Sequence, residues 1–362
     1  MYDKIELIAP PVEGWMPMPK WTREWDEAID LTPVNLNVLV PKAQQFAKDH
    51  LGVVDDILVI LWIDPQWDFC HQSGSLFVGG AGGVDGVYDT WRYGRFVCGN
   101  VHRIVAMYIT EDDHERESIE HGYRLMDREG NSPPPFTMIT SDDLRYGDWR
   151  VRPEYGEEMQ QYYIDYVAAM EKNRGHGLFI WPYHCDEQTI GGMVMPYVKS
   201  VAEWWGAIRG KQVVHYRKDG HRDVEFHSIF RPDVRDDRFI SSCRPMVEKG
   251  IALMESLIQA LREGKYVVIG GEAASHCVGW SVDDLIDYIL TNYADEASVL
   301  LSRIVILTDC TSAIVVRDEN GVPIPGPTTD YRPAVEEMYA RWRKHGLILT
   351  QSTVPVEEWS QG

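Results

Sequence analysis

The sequence has few basic residues, no closely paired cysteines and no evident hydrophobic run of membrane length. Its 35 lysines and arginines face 56 aspartates and glutamates, which gives a formal net charge of -21. This excess of negative charge argues against nucleic acid or an anionic membrane as the main partner, because phosphate groups bind basic surfaces. The six cysteines are scattered without a C-x-x-C pair, so we expect them to be reduced.

The apolar runs that are present have the length of β-strands. A clear example is 57–63, which is bounded by Asp56 and Asp64 and is far too short to span a bilayer. The chain begins Met-Tyr-Asp-Lys-Ile-Glu, without a basic region followed by an apolar stretch, so we expect no signal peptide and a cytoplasmic location. With 44% hydrophobic and 25% charged residues, the composition is that of an ordinary globular protein.

Short apolar runs alternate with longer amphipathic ones along most of the chain. The predicted strands are 57–63, 104–109, 178–181, 212–217, 266–270 and 304–308, with 347–350 as a weaker addition. Helical periods fall between them, near 84–97, 197–208, 246–262, 278–292 and 333–344. This alternation predicts an α/β protein with three α/β/α layers and a six-stranded parallel sheet.

Two regions depart from this alternation. Residues 1–50 are rich in Pro and Trp and predict an extended N-terminal arm, whereas 51–362 form the α/β domain. Within that domain, 115–176 is acidic and interrupted by prolines, with a helix predicted near 157–172. A structureless loop of this length is unusual, so we expect an insertion with its own elements, such as a lid.

Three residues of complementary chemistry follow separate predicted strands. Asp64 ends the first strand, Lys218 follows the fourth, and Cys277 follows the fifth and begins a predicted helix. Because parallel strands bring their carboxyl ends to one edge of the sheet, these side chains are expected to meet there. A carboxylate, an amine and a thiol in contact predict a cysteine nucleophile with acid–base assistance. The helix N-terminus is expected to stabilise the thiolate.

Each of these residues also has an ordinary structural interpretation. An aspartate at a strand end caps a turn about as often as it acts in a site. Spacing alone does not separate Lys218 from Arg217 or Lys211, and a buried structural cysteine is the alternative for Cys277.

A second set of residues has the character of a metal site. Asp112 and His114 are two positions apart, so they share a face of an extended segment after the second strand. His184 follows the third predicted strand and is expected at the same sheet edge. One carboxylate and two imidazoles suit Zn, Fe or Mn, whereas the alternative is a solvated acidic turn. The neighbouring Cys185 fits a packing role better than that of a ligand or a rival nucleophile.

Taken together, these segments resemble the isochorismatase-like cysteine hydrolase superfamily and, within it, the nicotinamidases. The matching motifs occur in the order typical of the family, between about residues 55 and 315: Asp64-x-Gln-x-Asp-Phe with Gly-Ser-Leu after it, Asp112-x-His114, Trp181-Pro-x-His184-Cys, Lys218 with His227-Ser-Ile-Phe230 downstream, Gly271-x-Ala-x-x-x-Cys277-Val, and Asp309 after the sixth strand. Any one of these motifs is weak, but the first five, which occur in order on successive strand ends, are strong together.

The resemblance implies roles for the catalytic residues. Cys277 attacks the carbonyl of a carboxamide, Asp64 accepts the proton and later donates it to ammonia, and Lys218 stabilises the thiolate. The backbone N–H groups of Ala273 and Cys277 hold the oxyanion, and the peptide bond before Ala273 is cis. The implied reaction is the hydrolysis of nicotinamide to nicotinate and ammonia.

The resemblance also implies a cofactor and a substrate pocket. A divalent metal ion binds Asp112, His114 and His184, with Zn preferred and Fe or Mn as alternatives. Phe69 and Trp181 sandwich the ring of a small-molecule amide. Homo-oligomers are common in the family, so we expect one here.

The sequence departs from the family pattern in three places. The place of a further metal histidine is taken by Glu117 or Ser118, with His121 only loosely in register. The two predicted metal histidines are farther apart than usual, and Gln188-Thr189 replaces a Gly-Thr pair. Two alternatives therefore stay open: a metal-independent relative that acts on another small amide or ureido compound, and a binding scaffold without turnover.

Overall fold

The computed structural model describes residues 36–186, 188–218 and 221–361. Strands in this part of the chain are β1 (Leu58–Ile63), β2 (Ile104–Glu111), β3 (Leu125–Met126), β4 (Met138–Ile139), β5 (Arg150–Val151), β6 (Leu178–Phe179), β7 (Val214–Arg217), β8 (Tyr266–Gly271), β9 (Ile304–Leu307) and β10 (Ile348–Thr350). Six of them form the main sheet, in the order β10-β9-β8-β1-β2-β7, and every pairing in that sheet is parallel.

Helices separate the strands of the main sheet. They are α1 (Leu36–His50), α2 (Trp67–Cys70), α3 (Asp85–Gly99), α4 (Ser141–Tyr146), α5 (Gly156–Arg174), α6 (Pro196–Arg209), α7 (Asp237–Ile240), α8 (Arg244–Arg262), α9 (Cys277–Asn292), α10 (Ala297–Leu301) and α11 (Arg332–Lys344). Short 3-10 segments occur at Ile119–His121, Pro153–Tyr155 and Val356–Gln361. Among the described residues, no helix combines the length and the apolar character that a membrane span needs.

The main sheet is buried on both faces by helices. Along β1, Leu58, Ile60 and Trp62 join the core under α1, α3 and α6, whereas the alternate residues 59, 61 and 63 join the core under α8, α9 and α11. Such continuous apolar strands are typical of a parallel sheet covered on both sides. The prediction of a three-layer α/β/α fold with six parallel strands is therefore confirmed.

One predicted member of the sheet was wrong. The run 178–181 was expected as a central strand, but only Leu178–Phe179 is a strand, and it pairs antiparallel with Met138–Ile139 outside the main sheet. The weaker candidate at 347–350 takes the sixth place as β10, beside β9. Pairing partners decide between such short apolar runs, and those partners are distant in sequence.

The segment 115–176, which is predicted to be an insertion, contains secondary-structure elements of its own. It contains the strands β3, β4 and β5 and the helices α4 and α5. β3 pairs antiparallel with β5, and β4 pairs antiparallel with β6, which follows the segment. Thr140 and Asp143 cap α4 reciprocally, each side chain bonding the backbone N–H of the other. The insertion buries a separate apolar cluster, which it shares with Val224, Phe226 and Phe239.

The predicted N-terminal arm lies mostly outside the described residues, because 1–35 are not among them. Residues 36–50 are helical, not extended as predicted. They form α1, whose Leu39, Ala43 and Phe46 are buried in the same core as α6. An amphipathic face that packs against a neighbouring helix outweighs the local signal of Pro41.

Candidate active site

Lys218 connects the other two predicted catalytic residues. Its Nζ lies 3.0 Å from Asp64 Oδ2 and 3.1 Å from Cys277 Sγ. All three side chains are buried, with at most 6% of any residue exposed. The carboxylate, ammonium and thiol that the sequence places after β1, β7 and β8 therefore form one cluster at the carboxyl edge of the sheet.

Asp64 is held by the neighbouring strand. Its backbone N–H donates to Thr110 Oγ1 over 3.0 Å, and that hydroxyl donates in turn to Asp64 Oδ1 over 2.6 Å. The backbone of Asp64 has a φ of 45°, a left-handed conformation that aspartate tolerates better than most residues. This turn directs Oδ2 toward Lys218, so the residue does more than cap the strand.

Cys277 is the first residue of α9, where backbone N–H groups lack helical partners. Its turn follows β8, and the peptide bond between Glu272 and Ala273 is cis, as the resemblance implied. Among the described residues, the N–H groups of Ala273 and Cys277 donate no hydrogen bond. They are therefore available to an oxyanion that forms beside the Sγ atom.

Burial and the charge of Lys218 act in opposite directions on the pKa values of Cys277 and Asp64. Burial raises the pKa of the Cys277 thiol well above its usual range, and Lys218 counteracts this only in part. Burial also raises the pKa of Asp64 although Lys218 lowers it. The pKa of Lys218 is well above its usual range, because Asp112 and Asp64 outweigh the effect of burial. The expected helix-stabilised thiolate is thus opposed by burial, and a thiol beside a proton acceptor fits better.

Asp112 connects the predicted metal-binding residues to the predicted catalytic residues. One carboxylate oxygen lies 3.1 Å from Lys218 Nζ, and the other lies 3.1 Å from His114 Nε2. Burial alone would raise the pKa of Asp112, but the charges of His114 and Lys218 hold it well below its usual range. Gln66 fixes its backbone through two hydrogen bonds, one to the N–H at 2.6 Å and one to the carbonyl at 2.7 Å.

The donors of Asp112, His114 and His184 fit a metal ion. One ligand atom of each lies within 4.8 Å of the others. His114 Nδ1 lies 2.8 Å from a carboxylate oxygen of Glu120, and His184 Nδ1 lies 2.8 Å from the carbonyl of Pro182. These contacts leave the Nε2 atoms facing the carboxylate of Asp112, which is how metal-binding imidazoles are commonly oriented. Burial lowers the pKa of His184 well below its usual range, so its imidazole is neutral.

Of the two residues considered as a further metal ligand, His121 lies beside the histidine pair and Glu117 does not. His121 Nε2 lies 3.4 Å from His184 Nδ1, and its ring centroid lies 5.3 Å from that of His114. Glu117 instead lies 3.8 Å from the guanidinium groups of Arg124 and Arg222. Sequence reasoning missed Glu120, the partner of His114, because nothing in its local pattern marks it as buried.

Two other residues singled out in the sequence have structural roles. Cys185 is buried, and its backbone N–H donates to Asp68 Oδ2 over 2.8 Å while its carbonyl accepts from the His114 N–H. This supports the packing interpretation. Asp309 accepts hydrogen bonds from the backbone and hydroxyl of Ser352, both at 2.7 Å, which joins the loops after β9 and β10.

A cavity beside the cluster is lined by Cys277 and Lys218. Phe69 and Trp181, which are predicted to bind the substrate ring, also line it, and both are 4% exposed. Glu225, His227 and His276 also line it, and sequence reasoning did not propose them for this wall. Trp181 and His276 meet edge to face, with ring centroids 4.9 Å apart.

Solved structures similar to this chain include several amidases. A nicotinamidase/pyrazinamidase of Acinetobacter baumanii is 15% identical, with 82% of this chain and 97% of that chain covered and a TM-score of 0.44. The yeast nicotinamidase bound to nicotinaldehyde is 14% identical, with coverages of 82% and 100% and a TM-score of 0.46. A pyrazinamidase of Pyrococcus horikoshii in complex with zinc is 15% identical, with coverages of 81% and 98% and a TM-score of 0.40.

No protein-family model matches the sequence, and no curated protein matches it. The solved structures named above all have TM-scores below 0.5. At these identities and TM-scores they assign no substrate, metal or reaction to this chain. Its function is therefore inferred from the geometry of its own site.

Proposed function

We propose that this chain is a cysteine-dependent amidohydrolase of the isochorismatase-like superfamily, with nicotinamide as the leading substrate. The observation that carries the proposal is the position of Lys218, whose ammonium contacts both the Cys277 thiol and the Asp64 carboxylate. A thiol, a proton acceptor and a fixed cation beside two available backbone N–H groups are the parts that acyl transfer through a thioester needs.

The first half of the reaction forms the thioester. The Sγ atom of Cys277 bonds to the amide carbonyl carbon while its proton passes to Asp64, whose raised pKa suits an acceptor that must later act as a donor. The N–H groups of Ala273 and Cys277 hold the carbonyl oxygen as it gains negative charge. The C–N bond then breaks as Asp64 returns the proton to the nitrogen, and ammonia leaves.

The second half releases the acid. A water molecule adds to the thioester carbonyl and gives its proton to Asp64. The C–S bond breaks, and the proton returns from Asp64 to Sγ, which restores the resting state. Lys218 keeps its charge throughout and stabilises the negative charge that moves between sulfur and carboxylate.

The metal ion implied by the resemblance fits Asp112, His114 and His184. When bound, a divalent cation such as zinc supplies positive charge and open coordination positions beside the pocket. The chain's own residues prepare the site, because Glu120 and the Pro182 carbonyl fix the orientations of the two imidazoles. The resemblance to nicotinamidases suggests that this region positions the substrate ring opposite Cys277.

The test is ammonia release from nicotinamide by the purified chain, loaded with zinc and then treated with a strong chelator. We expect release that disappears in Cys277→Ala and persists in Cys98→Ala, which alters another buried cysteine outside the site. Release that falls on chelation and returns with zinc supports the metal-assisted form. Release that survives chelation favours the metal-independent relative, and tight amide binding without release by folded protein favours a binding scaffold.

A further inference from the structure

We propose that Glu225 and His227 form a recognition site for a second hydrogen-bond donor on the substrate, in the wall of the pocket that the catalytic cysteine also lines. This inference rests on the proposed amidohydrolase activity. It names a chemical class of substrate that this pocket prefers over nicotinamide, whose ring nitrogen only accepts hydrogen bonds: a small amide that also carries a neutral N–H or O–H group, such as an amino, hydroxyl, ureido or second carboxamide group.

The placement of the two side chains follows from an alternating segment after β7. Val224 and Phe226 are buried in the apolar cluster of the insertion, whereas Glu225 and His227 line the cavity that Cys277 also lines. Alternation of this kind is what an extended backbone produces. One wall of the pocket is thus built on the insertion that distinguishes this chain from the family pattern.

Both residues bury a polar atom without a hydrogen-bond partner. Glu225 and His227 are 4% and 7% exposed, and neither Glu225 Oε2 nor His227 Nε2 has a partner within the described residues. Leaving such atoms unpaired has a cost in free energy, because each has lost its hydrogen bonds to water. That cost is offset when a ligand supplies the missing hydrogen bonds, which is the usual reason for unpaired polar atoms in a binding pocket.

The surroundings of His227 determine which hydrogen bond it can make. Its Nδ1 lies 2.5 Å from Asp233 Oδ2, and Asp233 is held in turn by Arg174 of the insertion helix α5 at 3.2 Å. Trp280 stacks on the imidazole with ring centroids 5.6 Å apart. The guanidinium of Arg174 lies over the ring of Trp280, 4.1 Å from its centroid. With its Nδ1 proton donated to the carboxylate of Asp233, the neutral imidazole presents the lone pair of Nε2 as an acceptor.

The carboxyl group of Glu225 supports the same preference. A carboxyl group has an oxygen that accepts a hydrogen bond in either protonation state. The wall formed by Glu225 and His227 therefore presents acceptors from both residues. Anionic substituents are disfavoured beside these two residues, because Asp233 lies directly behind His227. Lys218, the ammonium that lines the same cavity, is already paired with the carboxylates of Asp64 and Asp112. A neutral donor group satisfies both acceptors without burying a further charge.

The test compares pairs of amides that differ in one group of equal size. Steady-state kinetics would be measured on the zinc-loaded chain with 3-aminobenzamide against 3-methylbenzamide, and with the 4-amino against the 4-methyl compound. At one ring position we expect kcat/KM to be about tenfold higher for the amino compound, the effect of one buried hydrogen bond. Because each ratio is taken on one preparation, it does not depend on the fraction of active protein.

Variants test whether the ratio of kcat/KM values depends on Glu225 and His227. Glu225→Met and His227→Phe are expected to reduce it to near one, whereas Glu225→Gln keeps an acceptor oxygen and most of the ratio. Glu248→Gln, an exposed glutamate on α8, should leave it intact. A ratio near one in the unaltered chain at both positions would overturn the inference, as would a ratio that neither Glu225→Met nor His227→Phe changes.

The outcomes also separate this inference from the proposed function. Turnover of the methyl compounds that depends on Cys277 supports the amidohydrolase whatever the ratio is. If no amide in the panel, nor nicotinamide, is hydrolysed by folded and zinc-loaded protein, the proposed function fails and this inference fails with it.

Discussion

The ammonium of Lys218 lies 3.1 Å from the carboxylate of Asp112, so the proposed metal site and the proposed nucleophile share one buried charge network. Lys218 contacts Asp64 and Cys277 on one side, and His114 contacts Asp112 on the other. A change in the charge of Asp112 therefore changes the pKa of the Cys277 thiol. The network can be tested by replacing its residues one at a time.

Replacing Asp112 with asparagine should lower the pKa of the Cys277 thiol. Asp112 raises that pKa through its negative charge, and without this charge the ammonium of Lys218 is freer to stabilise the thiolate. The pH profile of iodoacetamide alkylation of metal-free protein should shift to lower pH. Asp113→Asn, next to it but facing Arg217, should leave the profile in place. A midpoint that stays or moves upward would contradict the network.

Lys218→Met should abolish activity and destabilise the fold. It removes the cation from between Asp64 and Asp112, and breaking a buried ion pair costs about 3–5 kcal/mol. We expect ammonia release to drop by at least about 10³-fold, in line with the loss of one member of a catalytic set. Urea unfolding at pH 7 measures the stability change, with the exposed Lys199→Met as control. Equal stability of the two variants would argue against the buried ion pairs.

Glu120→Gln should weaken zinc binding without removing a metal ligand. The Glu120 carboxylate lies against His114 Nδ1, and loss of such support typically costs about 10-fold or more in metal affinity. Competition with a chromophoric chelator measures the affinity. Glu117→Gln is the matched control, because Glu117 faces Arg124 and Arg222 instead. If both variants bind zinc like the unaltered chain, Glu120 does not act on the metal site.

Asp89→Asn should stabilise the protein at alkaline pH. Asp89 is 2% exposed, and burial raises its pKa from 3.8 to about 7, next to the buried carboxyl of Glu272. A raised pKa in the folded state means that stability is full below about pH 4 and declines as pH rises through about 7.

The asparagine variant lacks this decline. At pH 8 its free energy of unfolding should exceed that of the unaltered chain by on the order of 1–3 kcal/mol, with little difference at pH 4. Urea unfolding across this pH range is the measurement, and the exposed Asp49→Asn is the control. A constant difference between variant and parent at all pH values would show that Asp89 does not titrate in this way.

The sheet and the catalytic cluster are largely predictable from the sequence. Apolar runs of strand length define β1, β2, β7 and β8, and the chemistry-bearing residues follow directly after them. Parallel pairing then brings Asp64, Lys218 and Cys277 to the same edge, for reasons of chain geometry alone. Local pattern is enough for this part of the site because each residue's position is tied to the end of its own strand.

Distant contacts decide the remaining features. Leu178–Phe179 is as apolar as a central strand but pairs inside the insertion, so His184 reaches the site from outside the main sheet. Glu120 and Glu225 are buried by segments far away in sequence, and no local period marks them.

Asp64 and Asp112 look alike in the sequence, since each is an acid after a strand. Their pKa values are shifted in opposite directions, because His114 adds a positive charge beside Asp112 and burial prevails at Asp64. Sequence alone determined which chemical groups the sheet edge receives. Only the tertiary structure decided which charge lies beside each of them, because electrostatic energies depend on distances between residues that the chain order does not set.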